Sequence, residues 1–213
     1  MEKHKVIQLR HLTDSAFVIR IEKKNIRFQT GQFILLGLNA IDRREYSVYS
    51  GEHEDFLEVL VREVEGGKVS AKLKNLKPGE LVNVDGAFGF FKFAPSAFKS
   101  QKFYFIATGT GISPFHSFVQ TYPNLDYTLI HGVRFAKEAY EHTDFEKERV
   151  TLCTSGDSGG DFHGRVTAYL AQQTIEEDAN YFLCGNSEMI YEVFDILMAK
   201  GIPVSNIYSE VYF

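Results

Sequence analysis

The sequence has no tryptophan, only two cysteines and five prolines, no excess of positive charge and no long apolar run. Each shortage excludes something. Two cysteines cannot build a disulfide framework, a four-thiolate zinc site or a ligated iron–sulfur cluster, so a redox cofactor here is not held by cysteine. The formal charge of −5 argues against a nucleic acid or an anionic membrane as a partner bound through overall charge. The longest apolar stretch, 33–38, is strand-sized and falls far short of the roughly 18 residues of a membrane span. The opening MEKHKVIQLRHL has no apolar stretch of secretory length, so a cytoplasmic location is expected. Seven histidines lie without metal-ligand spacing. No metal site is expected, and His4, His11, His53 and His142 are expected at the surface.

What is present is an ordinary globular composition, 44% hydrophobic and 24% charged over 213 residues. That length holds one large domain or two of about 100 residues. Up to residue 94 the chain reads as short strands at 6–9, 16–21, 33–38, 46–49, 56–61 and 81–84, separated by turn signals such as Gly66-Gly67 and Pro78-Gly79. One helical pattern, 69–76, interrupts them. This predicts a small antiparallel β-barrel. The stretch 94–101 reads as a linker. Beyond it, apolar strands at 103–107, 127–131, 150–153, 181–184 and 207–211 alternate with helical patterns at 114–120, 143–147, 166–172 and 188–200. That alternation predicts an α/β doubly wound parallel sheet. The last helix should end at Lys200, with Gly201 as a left-handed cap and Pro203 preventing continuation. Two domains, 1–96 and 97–213, are expected.

Five stretches carry candidate chemistry. In Thr108-Gly109-Thr110-Gly111-Ile112-Ser113-Pro114-Phe115 a strand runs into a two-glycine turn and then a helix, with Ser113 as the expected N-cap and Pro114 at the first position. The glycines admit a ligand, and helix amides suit a pyrophosphate; Pro114 stands where the full dinucleotide fingerprint has a third glycine, and a ligand-free turn has the same look. Arg43-Arg44-Glu45-Tyr46-Ser47-Val48-Tyr49-Ser50 reads either as an edge strand of charged and aromatic pairs or as a guanidinium fork, a flat ring and hydroxyls converging on a phosphate-bearing ligand. Gly67-Lys68-Val69-Ser70 opens the one helix of this half and offers a second anion site. Cys184-Gly185 ends a strand at a helix start and reads either as an inert core thiol or as one that the helix start gives thiolate character; Cys153 reads as core. The final Glu210-Val211-Tyr212-Phe213 reads as an anchored edge strand or an aromatic lid.

In this order and spacing the five stretches resemble the ferredoxin–NADP(+) reductase family of FAD-dependent oxidoreductases, over nearly the whole chain. The resemblance implies an FAD-binding barrel followed by an NAD(P)-binding domain, with the flavin between them. It assigns Arg44 to the FAD pyrophosphate, Tyr46 to stacking on the isoalloxazine and Ser47 to the flavin near N5. Backbone at Val59 and Val61 would line the flavin's polar edge, and Gly67, Lys68, Val69 and Ser70 would take the FAD pyrophosphate. Thr108, Gly109, Thr110, Gly111 and Pro114 would hold the NAD(P) pyrophosphate. Cys184 and Gly185 would lie beside the nicotinamide, Glu210 would relay a proton, and Tyr212 would cover the flavin. Phe213 is a candidate for the FAD adenine.

One departure bears on the coenzyme. Many NADP-linked members carry Ser-Arg-Glu where this chain reads Ser155-Gly156-Asp157. Arg134 and Arg165 occupy places where the family puts other 2′-phosphate ligands, whereas Asp157 suits the 2′-hydroxyl of NADH. The expectation leans to NADP(H), with NAD(H) the alternative. The implied partner is a separate ferredoxin or flavodoxin, docking on Lys72, Lys74, Lys77, Lys92, Lys99 and Lys102. Rival readings are the reductase component of an oxygenase, a free-flavin reductase, and a flavin- or nucleotide-binding sensor without turnover.

Overall fold

The computed structural model describes residues 2–92 and 101–212. Its contacts gather into two compact units, Met1–Lys92 with Ser113–Tyr122, and Phe93–Ile112 with Pro123–Phe213. The expected boundary at 96/97 lies outside the described residues, as do Lys99 and Phe213.

The first unit contains β1 (Glu2–His11), β2 (Ala16–Glu22), β3 (Phe33–Gly37), β4 (Arg43–Ser47), β5 (Phe56–Arg62), α1 (Ser70–Leu73) and β6 (Leu81–Phe88). The strands form an antiparallel sheet in the order β4-β3-β6-β1-β2-β5. A bridge from Val48 to Val59, with the Tyr49 N–H donating to the Glu58 carbonyl at 2.7 Å, joins the two outer strands and closes the sheet into a barrel. Period-two alternation fills it: Phe17, Ile19 and Ile21 of β2, Ile34 and Leu36 of β3, and Leu57, Val59 and Val61 of β5 share one core. The same alternation turns His4 inward with Val6. His4 is fully buried and its Nδ1 lies 2.6 Å from the Glu22 carbonyl, so it is not the surface residue expected. On the opposite face of β5, Glu58 is buried between the guanidinium groups of Arg10 and Arg20, and Arg20 also covers the Phe56 ring at 3.7 Å.

Helix α2 (Ser113–Thr121) packs with this unit. His116 stacks on Tyr49 with ring centroids 3.7 Å apart and donates from Nδ1 to the Tyr49 carbonyl. Ser117 donates to the Ser50 carbonyl and Thr121 accepts from the Glu52 N–H, so the helix is sewn to the segment just after β4.

The second unit is a parallel sheet of β7 (Phe103–Thr108), β8 (Tyr127–Val133), β9 (Val150–Thr154), β10 (Phe162–His163), β11 (Asn180–Asn186) and β12 (Ile207–Tyr212), in the order β10-β9-β8-β7-β11-β12. The chain winds outward from β7 to β10, then crosses back to place β11 on the other flank of β7. Helices α3 (Val166–Gln172) and α4 (Ser187–Ala199) pack on the sheet. Asn186 caps α4 by accepting from the Met189 N–H, and Gly201 ends it at φ +89°. No helix among the described residues is long and apolar enough to cross a membrane.

Three local expectations are corrected. Residues 143–147 are not an α-helix but fall across two single 3-10 turns, His142–Asp144 and Lys147–Arg149, because five residues cannot recover the cost of helix nucleation. The 69–76 pattern yields one α-turn, Ser70–Leu73, after which Asn75 and Leu76 bond three residues back instead of four. Ser113 is not an N-cap: a 3-10 turn over Gly109–Ile112 already leads into α2.

Removing the carboxylate of Glu58 strands two guanidinium groups against a closed face. Glu58→Ala should therefore cost about 2 kcal/mol in urea unfolding, less than a fully buried pair because both arginines reach solvent. A loss below about 0.5 kcal/mol would make it an ordinary surface pair.

Candidate functional site

In the barrel unit the candidate residues gather along β4 and β5. Tyr46 pairs with Ile34 and Arg44 with Leu36, so both lie on the inward face of β4. Yet Arg44 is exposed and Tyr46 only half-buried. The reason is that, among the described residues, one bridge, Val48–Val59, joins this edge to β5, and the two strands part beyond it. On that face the Tyr46 ring packs half-buried against the core, and the exposed Arg44 guanidinium donates to the Arg43 carbonyl at 2.7 Å. Burial pushes the Tyr46 phenol up to about 12, with Arg44 opposing, so it stays neutral and offers a flat face. Ser47 is buried at the end of β4. The Gly67–Ser70 turn is held shut from within: Ser70 Oγ accepts from the Val64 N–H at 3.0 Å, and a Cβ on Gly67 would lie 2.7 Å from the Val64 carbonyl. Lys68 is exposed beside it, while Val69 is core.

In the sheet unit the winding direction reverses between β7 and β11, and ligands of open α/β sheets bind outside the strand ends at such a reversal. Here the two strand ends touch. A Cβ on Gly111 would meet the Cys184 carbonyl oxygen at 2.3 Å, and one on Gly185 (φ +135°) would meet Thr108 Oγ1 at 2.3 Å. Thr108 Oγ1 accepts from the Asn186 N–H at 3.0 Å. Gly109, at φ +54°, has open space where a side chain would be. Cys184 stands opposite Glu210, and Asn186 opposite Tyr212, in the β11–β12 ladder. Burial raises the Cys184 thiol well above its ordinary range, the Glu210 charge adds to this, and a hydrogen bond with the Tyr212 side chain opposes it. The expected thiolate character is thereby corrected: the helix start lies one residue beyond a sealed strand. Cys153 is core as expected, its thiol pushed up to about 12 chiefly by burial.

Further along the same edge, Arg134 follows β8 and Arg165 precedes α3, both exposed. Gly156 fits between them in sequence because a Cβ there would strike the Arg134 carbonyl at 2.7 Å. Asp157 accepts from the Ala136 and Gly159 N–H groups, which hold its carboxyl below the usual range.

The family model "Oxidoreductase FAD-binding domain" matches residues 6–93, and "Oxidoreductase NAD-binding domain" matches 105–194. A ferredoxin–NADP reductase of Pseudomonas aeruginosa is 31% identical, the match covering 94% of this chain and 90% of the relative. The chain belongs to the ferredoxin–NADP reductase family. A flavodoxin/ferredoxin–NADP reductase of Escherichia coli is 29% identical over 87% of this chain and 85% of its own. A ferredoxin NADP+ reductase from Neisseria gonorrhoeae, solved with bound FAD and NADP, has the same fold: TM-score 0.88, 24% identity, covering 100% of this chain and 98% of that one.

As a ferredoxin–NADP reductase family member the chain is an NAD(P)H-dependent flavoprotein oxidoreductase. Its residues suit the two cofactors: the inward face of β4 carries a ring and a guanidinium for a flat anionic ligand, and the space beside Gly109 is open. Pro114 is buried at the second position of α2, directly after the turn. The expected lysine patch is reduced. Lys72 alone lies on α1, Lys74 bonds Glu63 and Lys102 bonds Glu176. Sequence reasoning passed over His131 and His142. His142 is half-buried, contrary to expectation, because its Nε2 lies 2.8 Å from Nδ1 of the fully buried His131. A lone polar ring inside the apolar run of β8 was the available signal.

A thiol kept neutral in the fold but free to ionise when unfolded stabilises the protein below the ordinary thiol pKa of 9.0 and loses that contribution as pH rises past it. Both cysteines should therefore resist iodoacetamide at about pH 8 until denaturant is added. Rapid stoichiometric labelling of the folded protein would contradict this.

Proposed function

We propose that this chain transfers reducing equivalents from a nicotinamide coenzyme, preferably NADPH, to a separate one-electron carrier of the ferredoxin or flavodoxin class. FAD, when bound, would supply the two-electron to one-electron redox chemistry that links a nicotinamide to such a carrier. The observation that carries the reading is the close approach of the Gly109–Gly111 turn to the end of β11 through Gly111 and Gly185, at Cys184, which pairs with Glu210 in the ladder. The protein's own work is positioning and proton handling. Arg44 and the Gly67–Ser70 turn hold diphosphate, Tyr46 supplies a stacking face, and Ser47 is assigned a hydrogen bond at N5. Glu210 is assigned to exchange the N5 proton with solvent. Cys184, neutral and buried, is assigned to shape the nicotinamide pocket and not to react. The carrier class is supported by the names of the Pseudomonas aeruginosa and Escherichia coli relatives.

Two features favour NADPH. Arg134 and Arg165 are exposed and uncommitted to carboxylates among the bonds described, and the carboxylate of Asp157 is engaged by two backbone amides of its own loop. Arg165→Ser should lower kcat/KM for NADPH about tenfold and leave that for NADH within about twofold, the difference of one charge-assisted phosphate contact. A wild-type preference for NADH would overturn the choice of coenzyme.

The purified protein should be yellow and should bleach anaerobically on titration with NADPH, which a sensor without turnover would not do. Ser47→Ala should slow bleaching at least about tenfold at unchanged flavin content, in line with a group that acts on the proton at N5. Parallel loss of flavin and rate would remove Ser47 from the chemistry.

A further inference from the structure

The segments that follow β8 and β9 are bonded into one double loop, with Arg134 in its middle. Beyond the last ladder pair, Val133 with Thr154, the two segments stay joined. The Ser155 N–H donates to the Val133 carbonyl at 3.2 Å and the Gly156 N–H to the Arg134 carbonyl at 2.6 Å. Two glycines allow the approach. A Cβ on Gly156 would stand 2.9 Å from Arg134 Cγ and from the Phe135 ring, and one on Gly159 would stand 2.7 Å from the Ala136 Cβ.

Two carboxylates close the double loop. Glu138 Oε2 accepts from the Arg134 and Phe135 N–H groups, at 3.0 Å each. Asp157 bridges the two segments: Oδ2 accepts from the Ala136 N–H at 2.9 Å, and Oδ1 from the Gly159 N–H at 3.2 Å. Asp157 is itself pinned, because its carbonyl accepts from the Thr154 hydroxyl at 2.8 Å and from His163 Nδ1 at 2.6 Å.

Arg134 is therefore fixed along most of its length. Glu138 holds its N–H, Gly156 holds its C=O and gives its side chain room, and its guanidinium lies 5.3 Å from the centre of the Phe135 ring. The residue is nevertheless exposed. A long side chain gives up rotamer freedom when it binds a ligand, and one ordered beforehand gives up less. A guanidinium so placed suits a phosphate.

We propose that Asp157 and Glu138 are positioning residues for coenzyme choice: they hold Arg134 ready for the 2′-phosphate of NADPH. The Asp157 carboxylate then favours NADPH through Arg134, the reverse of what a carboxylate bound to the 2′-hydroxyl of NADH would do. The inference rests on the NADPH reading above and adds to it Glu138, which lies outside the five sequence stretches.

The two roles of Asp157 predict opposite shifts in flavin-loaded protein assayed with both coenzymes and ferricyanide as acceptor. Asp157→Ala should lower kcat/KM for NADPH about tenfold through KM, and leave kcat and the NADH values within about twofold, the size of one charge-assisted phosphate contact. Asp157→Asn, which keeps one accepting oxygen, should recover most of the loss. Glu138→Ala should act like Asp157→Ala, whereas Glu138→Gln retains an oxygen for both amides and should match the wild type. The double variant Arg134→Ser/Asp157→Ala should be no worse with NADPH than Arg134→Ser alone, because Asp157 acts through Arg134. Calorimetric titration with adenosine 2′,5′-bisphosphate gives a readout without turnover: its Kd should rise about tenfold in Asp157→Ala, and that of 5′-AMP should stay within about twofold.

A loss confined to NADH in Asp157→Ala would make Asp157 a ribose ligand and overturn the proposal. Equal losses with both coenzymes, or additive losses in the double variant, would reduce its role to holding the fold and overturn it as well. A wild-type preference for NADH would remove the coenzyme reading and this inference with it. A wild-type preference for NADPH that Asp157→Ala leaves unmoved would overturn the inference alone.

Discussion

Two backbones in contact govern the sheet unit. β7 and β11 are adjacent in the sheet but separated by most of the unit in sequence, and at their ends the chain must leave in two directions without any side chain intervening. Gly111 and Gly185 make this possible: a methyl group on either would sit 2.3 Å from an oxygen of the other strand's end. The coenzyme turn, the Asn186 cap of α4 and the facing of Cys184 by Glu210 all follow from that closeness. A dinucleotide site of this kind is a by-product of how tightly two parallel strands are allowed to approach.

The barrel reaches a comparable result by the opposite means. Its strands pair fully except where β4 and β5 meet, and there a single bridge is left to close the cylinder. Inward-facing residues of β4 would be core in a closed barrel. Because the closure stops at Val48, Arg44 and Tyr46 are released to line an opening instead, and the same alternation that fills the core provides the ring and the charge. The buried ion cluster of Glu58 with Arg10 and Arg20 lies on the outer face of the strands opposite this opening in register, next to the bridge itself.

Much of this was legible in the sequence for identifiable reasons. Runs such as FYFIAT and NYFLCGN are apolar on both faces, which only a covered parallel strand requires, and Gly201 with Pro203 marked the end of α4. The turn at Gly109 was visible as a strand–helix junction with two glycines, although a ligand-free turn has the same look, so its use was legible only together with the other stretches. What was missed depended on tertiary context. The pattern at 143–147 had helical periodicity but not the length to nucleate, and His4 looked like one charged-segment residue among several although its strand position turned it inward. Of the two readings of Cys184, an activated thiol beside a helix start or an inert core thiol, burial favours the second, because desolvation holds the thiol neutral. The histidine pair joins residues 131 and 142 through a bend in the chain that no periodicity announces.

The path of the chain through its two units has a consequence for how such a protein can be divided. The family matches split it into consecutive halves, 6–93 and 105–194, but its packing does not. After Gly109–Ile112 the backbone leaves the sheet unit, spends Ser113–Tyr122 in the barrel's packing, where His116, Ser117 and Thr121 are bonded to residues 49–52, and then returns. The halves are laced, not merely joined. Evolution or a protein engineer exchanging one cofactor module for another cannot cut at the apparent linker alone. The helix that follows the glycine turn must travel with the barrel residues that it is bonded to.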